Sequence, residues 1–142
     1  MRLVVVAVGR IKDKALRAVI DDYLGRIQHY VRCDEIETSD ARALGGAVPK
    51  QSLVVALEVH GEAHSSPAFA KRLERWTSQG KGNVAFLIGG ADGIPPAVSK
   101  SANVRLSLSP MTLPHRLARV VLFEQLYRAL TILRGEPYAR ES

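Results

Sequence analysis

Five short apolar runs, separated by polar segments, predict five β-strands along the chain. Leu3–Val8 and Asn83–Ile88 are almost continuously apolar, which is typical of strands buried on both faces of a sheet. Ser52–Val59 and Val104–Leu108 have the same character. Val31–Thr38 mixes apolar with charged residues, so we expect it near an edge of the sheet.

Between these runs, apolar residues at helical spacing predict helices. An amphipathic helix is expected over about 14–28. The capping hydroxyl of Ser66, followed by a proline, predicts the start of a second helix, and Gly80 is placed to end it. A short third helix is predicted over about 95–102, and a long final helix covers His115–Leu133.

The alternation of strands and helices predicts an α/β fold with a mostly parallel sheet and helices on both faces. A length of 142 residues suits one compact domain, and neither a linker nor a repeat divides it, so we expect a single domain over 1–142. Residues 39–51 are predicted to form a loop with at most one helical turn. Ligands of such sheets bind beyond the carboxyl ends of the strands, here after Val59, Ile88 and Leu108.

The final helix combines apolar spacing with many charges. Leu117, Val120, Val121 and Leu130 are predicted to face the sheet. The remaining charged positions are consistent with a solvated face carrying scattered ion pairs.

Composition argues against several classes of protein. A hydrophobic fraction of 46% and a charged fraction of 24% are ordinary for a soluble protein, and the longest apolar runs are too short to cross a bilayer. The first run ends at Gly9 without a cleavage pattern for a signal peptide, so a cytoplasmic protein is expected. Cys33 is the only cysteine and the four histidines lack metal-ligand spacing, which argues against a disulfide and against a metal site.

The net charge of +6 favours a polyanionic partner such as RNA or DNA, although a basic surface kept for solubility explains it as well. The adjacent Gly89 and Gly90 directly follow a buried strand, where a side chain would keep a ligand away from the main chain. The three-glycine dinucleotide fingerprint and the P-loop lysine are both absent. From these residues alone, a ligand-binding loop and a purely structural turn remain equally open.

Four ordered runs in the second half resemble the ribosomal RNA large subunit methyltransferase H family of the SPOUT superfamily. They are LIGGADG (87–93), LSLSPMTLPH (106–115), RLARVVLFEQLYRA (116–129) and PYARE (137–141). The runs VAVGRIKD (6–13) and VVALEVHG (54–61) extend the resemblance over nearly the whole chain, while residues 39–51 are shorter than is typical of the family.

This resemblance implies an S-adenosylmethionine-dependent enzyme. It implies a deep trefoil knot in the C-terminal part of the sheet and a homodimer to which the final helix and tail contribute. The implied substrate is a pseudouridine of large-subunit (23S) ribosomal RNA in assembled ribosomes, methylated at N3. Membrane and metal partners are not implied.

The resemblance also assigns roles by position. It implies cofactor contacts at Leu57, Gly90, Ser109, Pro110, Met111, Thr112, Leu113 and Pro114. Tyr138, Arg140 and Glu141 match the family's reactive tail, with Arg140 expected to stabilise an anionic base and Glu141 to orient or accept a proton. His115, Arg119 and Arg128 are candidates for positioning or for RNA phosphate contacts.

One position departs from the family pattern. Ala139 stands where the family usually has a histidine, a natural proton handler near neutral pH. Two alternatives therefore accompany the enzyme: a catalytically weak or inactive RNA-binding or ribosome-binding relative and, on the glycine loop alone, another kind of nucleotide-binding module.

Overall fold

The computed structural model describes residues 1–140, which form one five-stranded parallel sheet with strand order β2-β1-β4-β3-β5. The strands are β1 (Arg2–Val8), β2 (Arg32–Thr38), β3 (Leu53–Ala63), β4 (Asn83–Ile88) and β5 (Val104–Ser107). The helices are α1 (Lys14–Gln28), α2 (Ser66–Gln79), α3 (Pro96–Ser101) and α4 (His115–Leu133). The predicted fold class, the helices α1 and α4 and the strand β4 are confirmed.

The sheet separates two cores of unequal size. The larger core packs α1, α2 and α4 on one face, and Trp76 of α2 lies in it against Phe69 and Phe86 with ring centroids 6.0 to 6.4 Å apart. The smaller core lies on the other face, where buried Leu44 contacts side chains of β1 and β4. That face is covered by α3 and by the segment 39–51, which contains two short 3-10 turns.

The predicted cap of α2 and the predicted end of β3 were wrong. Ser65, rather than Ser66, caps α2, because its hydroxyl accepts a hydrogen bond from the Ala68 N–H at 3.2 Å. The Ser66 hydroxyl instead donates to Gln125 of α4 at 2.7 Å and so joins the two helices. Strand β3 continues four residues beyond Val59.

The extension of β3 has a visible cause. The pairing of β3 with β5 shifts register between Leu57 and Glu62, so β3 bulges and then rejoins β5. A Cβ at Gly61 would lie 2.6 Å from the carbonyl of Arg105, so the two main chains approach closely there. His60 lies just beyond the predicted end of this strand at Val59, and in the structure it belongs to the strand.

The sheet-facing side of α4 also differs from the prediction. Leu130 is buried as predicted, but Leu117 is 44% exposed and Val120 and Val121 are only half-buried. The buried positions are Arg119, Leu122, Phe123, Leu126, Ala129, Leu130 and Thr131. The buried side of α4 is therefore rotated relative to the predicted one, and Arg119 is its first residue.

The order of the strands places distant segments side by side. Strand β4 lies between β1 and β3, and β5 pairs with the outer side of β3. Helix α4 then returns to pack against both α1 and α2. This order is consistent with the SPOUT arrangement, and the trefoil knot stays a prediction. Within residues 1–140, every helix is too short or too polar to span a bilayer.

Candidate active site

A cavity of about 750 Å³ opens at the carboxyl ends of β3, β4 and β5, where the sequence predicted ligand-binding loops. This volume lies within the range of small-molecule sites. Its walls come from 57–60, 88–94, 108–109 and 111–115, with Ala118 of α4 behind them. The glycine loop and the segment after β5, more than fifteen residues apart in sequence, thus meet around one space.

The glycine loop is a tight turn closed by its own main chain. The Gly93 N–H donates to the Gly90 carbonyl at 3.0 Å, and Gly93 has a φ of +76°, which favours glycine. A Cβ at Gly89 would lie 2.5 Å from the Gly93 carbonyl oxygen and 2.8 Å from its Cα. Because those atoms are main chain, Gly89 cannot carry a side chain without opening the turn.

Gly90 lines the cavity as predicted, but a Cβ there would point elsewhere. It would meet Cγ1 of Val8 at 3.2 Å, toward the end of β1. The expectation that a side chain at this position would enter the ligand's space is therefore not supported by its direction. The glycine required by the loop geometry is Gly89, which sequence reasoning named without assigning it a contact.

The segment after β5 is held by its own serines. The Ser107 hydroxyl donates to the Ser109 carbonyl at 2.9 Å, and the Met111 N–H donates to the Ser109 hydroxyl at 3.0 Å. The predicted cofactor residues of this segment line the cavity, except Pro110. Met111 lines the cavity but is 77% exposed, so few contacts within the chain hold its side chain.

Sequence reasoning missed three polar residues of the wall: Glu58, His60 and Asp92. The Glu58 carboxylate accepts a hydrogen bond from the Ser99 hydroxyl at 2.9 Å. Glu58 and His60 flank the predicted loop position Val59, and Asp92 lies inside the glycine motif. The available signal was position: Glu58 and His60 lie near the predicted end of a strand, and Asp92 follows one.

The two described tail residues, Tyr138 and Arg140, do not line the cavity. The Tyr138 hydroxyl donates to Glu124 at 2.9 Å, and its ring packs on Tyr127 with centroids 4.6 Å apart. Glu124 is six residues beyond the cavity residue Ala118, or roughly 9 Å along the helix. Arg140 is exposed, and Glu141 lies outside the described residues.

Tyr138 is held as a neutral donor. Partial burial, together with interactions with Tyr23 and Glu124, raises the pKa of Tyr138 well above its ordinary value. A phenol in this state cannot act as a base near neutral pH. Its observed contact orients the tail on α4.

Two of the three residues on α4 that were predicted to position or contact RNA, Arg119 and Arg128, have partners within the chain. Arg119 is 1% exposed, and its guanidinium pairs with Glu37 and with Glu35 at 3.1 Å and donates to the Gly9 carbonyl at 2.9 Å. Because this side chain is enclosed, the structure favours the positioning alternative for Arg119 over a phosphate contact.

Arg128 has a positioning geometry. Its guanidinium pairs with Glu124 at 2.8 Å and lies 5.1 Å from the centre of the Tyr138 ring. A phosphate contact would compete with these interactions, so the structure favours the positioning alternative. His115 lines the cavity at the first residue of α4.

No group of three or more His, Cys, Asp or Glu residues within 1–140 could hold a metal ion. Among those residues the Cys33 thiol is buried, and burial, with the charges of Asp34 and Glu35, raises its pKa to about 12. A thiol in this state is unreactive near neutral pH.

Sequence comparisons place the chain among known proteins. The family model described as "Predicted SPOUT methyltransferase" matches residues 1–139. Ribosomal RNA large subunit methyltransferase H of Sorangium cellulosum (strain So ce56) is 63% identical over 149 aligned residues, covering 98% of this chain and 99% of the relative. The protein of the same name from Anaeromyxobacter dehalogenans (strain 2CP-1) is 44% identical, covering 97% and 99%.

Two solved structures share the fold. A probable methylase family protein from Haemophilus influenzae Rd KW20 matches with a TM-score of 0.62 at 9% identity, covering 96% of this chain and 69% of the other. The SpoU methyltransferase AviRb from Streptomyces viridochromogenes, solved in complex with the cofactor AdoMet, matches with a TM-score of 0.53 at 11% identity, covering 95% and 59%. At these identities the likeness concerns the fold alone.

Proposed function

The chain belongs to the SPOUT methyltransferase family and, within it, to the group of ribosomal RNA large subunit methyltransferase H, and we propose that it methylates N3 of a pseudouridine in large-subunit (23S) ribosomal RNA. The proposed donor is S-adenosylmethionine, the proposed substrate is the assembled ribosome, and the proposed compartment is the cytoplasm. This proposal rests on one observation: the glycine loop 89–93 and the segment after β5 meet around one cavity.

The wall of the cavity suits a cationic nucleoside better than a phosphate-bearing cofactor. Leu57, Met111 and Leu113 offer apolar surface for a base, next to exposed peptide groups. Among residues 1–140, the wall contains the carboxylates of Glu58 and Asp92 and no lysine or arginine. Carboxylates favour a sulfonium centre and oppose a diphosphate, so a dinucleotide is the poorer candidate.

When bound, S-adenosylmethionine supplies an electrophilic methyl group. The protein must align the pseudouridine with that group and manage one proton: N3 of the base gives up its hydrogen, and the anionic base then forms the new N–C bond as the methyl–sulfur bond breaks. We assign stabilisation of the resulting anionic base to the exposed guanidinium of Arg140. Tyr138 and Arg128 hold the tail against α4. Glu141 stays the predicted proton acceptor. Ala139 cannot take that role.

The separation of tail and cavity supports a homodimer. An antiparallel pairing of two α4 helices about a twofold axis would bring the tail of one chain to the cavity of the other. Leu117 and Met111, which are 44% and 77% exposed beside the cavity, offer apolar surface for such a pairing. The proposed active site therefore combines two copies of the chain.

Mass spectrometry of ribosomal RNA from cells with and without the protein tests the function. The expected result is one N3-methylpseudouridine that disappears without the protein and returns when purified protein and S-adenosylmethionine are added to the deficient ribosomes. Binding of S-adenosylhomocysteine without methyl transfer would support the inactive relative instead. Tight binding of a dinucleotide would overturn the proposal.

Replacing Arg140 with alanine is expected to slow methyl transfer by about 100-fold or more while leaving cofactor affinity within about twofold, since an interaction made only in the transition state is lost. Single-turnover transfer and calorimetry with S-adenosylhomocysteine measure the two effects separately. Arg134→Ala, at another exposed arginine beyond α4, is the matched control and should leave both unchanged. Equal losses of affinity and rate in Arg140→Ala would contradict the assigned role.

Mixing two inactive variants tests the composite site. Arg140→Ala removes the tail function, and Gly89→Ala removes the cavity. If tail and cavity come from different chains, random mixed dimers regain intact sites at about a quarter of the wild-type number. Activity is measured after co-expression with two different affinity tags. If both functions come from one chain, every site stays defective and no activity returns.

A further inference from the structure

Three cations lie on the outer surface of the turn between β1 and α1. Arg10, Lys12 and Lys14 are all exposed, and they alternate with Ile11, which is 4% exposed, and with Asp13. The Ile11 N–H donates to Glu37 at 3.0 Å, and the Asp13 carboxylate caps α1 by accepting from the Leu16 N–H at 3.0 Å. Ile11 and Asp13 therefore anchor the turn, and the three basic side chains between and beside them are exposed to solvent.

These three cations have no ion-pair partner among residues 1–140. They line a groove of about 580 Å³ together with Arg17, Asp21 and Glu37. The two carboxylates of that groove are already paired: Asp21 with Arg17 at 2.9 Å, and Glu37 with Arg119. The positive charge of the turn is consequently left for a partner outside the chain.

The position of these charges does not favour stability. The amino end of a helix carries partial positive charge, so nearby cations are unfavourable there and acidic residues are preferred. Lys14 begins the first turn of α1 and Lys12 and Arg10 lie just before it, so three cations stand at this helix end against the one carboxylate of Asp13 at the N-cap. A surface kept only for solubility has no reason to concentrate unpaired cations at this end of a helix.

The groove borders the proposed active site. Gly9, which precedes Arg10, receives a hydrogen bond from Arg119 of α4, and Val8 lies against Gly90 of the cavity wall. Both features stand at the carboxyl ends of the strands. The basic turn and the cavity therefore lie at the same edge of the sheet.

We propose that Arg10, Lys12 and Lys14 form a phosphate-binding surface for the ribosomal RNA that flanks the methylated base. The proposal rests on the proposed function for the identity of the RNA, and the contacts are to the backbone, without reading of sequence. Exposed lysines and arginines serve this purpose by releasing counterions from phosphates.

The test replaces all three residues with glutamine in the full chain. The probe is intact ribosomes from cells lacking the protein, with binding measured at several salt concentrations. The variant is expected to bind at least tenfold more weakly and to lose up to about one unit of the log–log salt slope for each cation removed. The KM for ribosomes should rise with little change in kcat, cofactor affinity should stay unchanged, and the melting temperature should be equal or higher.

A matched control removes the same charge elsewhere. Lys71, Arg72 and Arg75 of α2 are likewise exposed and without ion pairs within the described residues, so Lys71→Gln, Arg72→Gln, Arg75→Gln changes the net charge equally. A charge-preserving variant, Arg10→Lys with Lys12→Arg and Lys14→Arg, should retain binding.

An effect no larger than that of the α2 control, or an unchanged salt slope, would overturn the proposal. A wild-type protein that binds ribosomes but transfers no methyl group would defeat the proposed function, and the binding comparison would still decide the role of this surface. Loss of binding with lowered cofactor affinity would mean that the turn supports the fold, against the proposal.

Discussion

Gly89→Ala is expected to abolish cofactor binding in a protein that still folds. The new Cβ would meet the main chain of Gly93 at 2.5 to 2.8 Å, so the turn that forms one wall of the cavity must open. We expect the dissociation constant for S-adenosylhomocysteine to rise more than about 100-fold, or about 2.7 kcal/mol. Calorimetry measures the affinity, and circular dichroism checks the fold.

Two other glycine substitutions serve as controls. Gly90→Ala should cost far less, because the contact with Val8 at 3.2 Å can relax by a small side-chain movement. Gly25→Ala, inside α1 with open space around it, should leave affinity unchanged and stabilise the helix by up to about 1 kcal/mol. Wild-type affinity in Gly89→Ala would show that the cofactor does not use this turn.

Arg119→Met is expected to lower the free energy of unfolding by up to about 3–5 kcal/mol at neutral pH, because it removes the enclosed cation and leaves Glu35 and Glu37 with the partly exposed Arg17 as their remaining cation among the described residues. The side chain of Glu35 is 8% exposed and that of Glu37 is 26% exposed. Urea unfolding measures the loss. Arg26→Met, which removes an exposed pair with Asp22, is the matched control and should cost less than about 1 kcal/mol.

The loss caused by Arg119→Met should depend on pH. Burial opposes ionisation of Glu37, but the Ile11 N–H, Arg119 and Arg17 outweigh it and lower its pKa. A lowered pKa contributes stability above the unfolded value of about 4.3, and this contribution disappears as the pH falls through the folded value. The difference between wild type and variant should therefore shrink below about pH 4. A difference independent of pH would mean that lost packing, rather than charge, causes the destabilisation.

The elements of this fold were readable from the sequence because their signals are local. Asn83–Ile88 is apolar after its first residue, and His115–Leu133 begins after a proline and ends shortly before Gly135, so both were predicted with their observed bounds. The order of the strands was not readable from periodicity, since uniformly apolar parallel strands do not identify their neighbours. The family resemblance implied the SPOUT class of fold, and the strand order itself came from the structure.

The cavity was predicted and the role of Arg119 was not, for a similar reason. The loops of the cavity each follow a buried strand, which a sequence shows directly. Arg119 meets carboxylates 82 and 84 residues away, and only the folded chain brings them together. A charged residue on an apolar helix stripe looks the same in a sequence whether it faces solvent or a buried partner. The separation of the tail from the cavity likewise required the packing of Tyr138 on α4.

The aromatic cluster in the larger core gives the molecule an optical reporter. Trp76 is the only tryptophan of the chain and is 3% exposed between Phe69 and Phe86, outside the walls of both the cavity and the basic groove. Its emission is blue-shifted while the core is intact and moves to longer wavelength when water enters. Fluorescence of the unlabelled protein therefore follows unfolding of the variants separately from events at either binding surface.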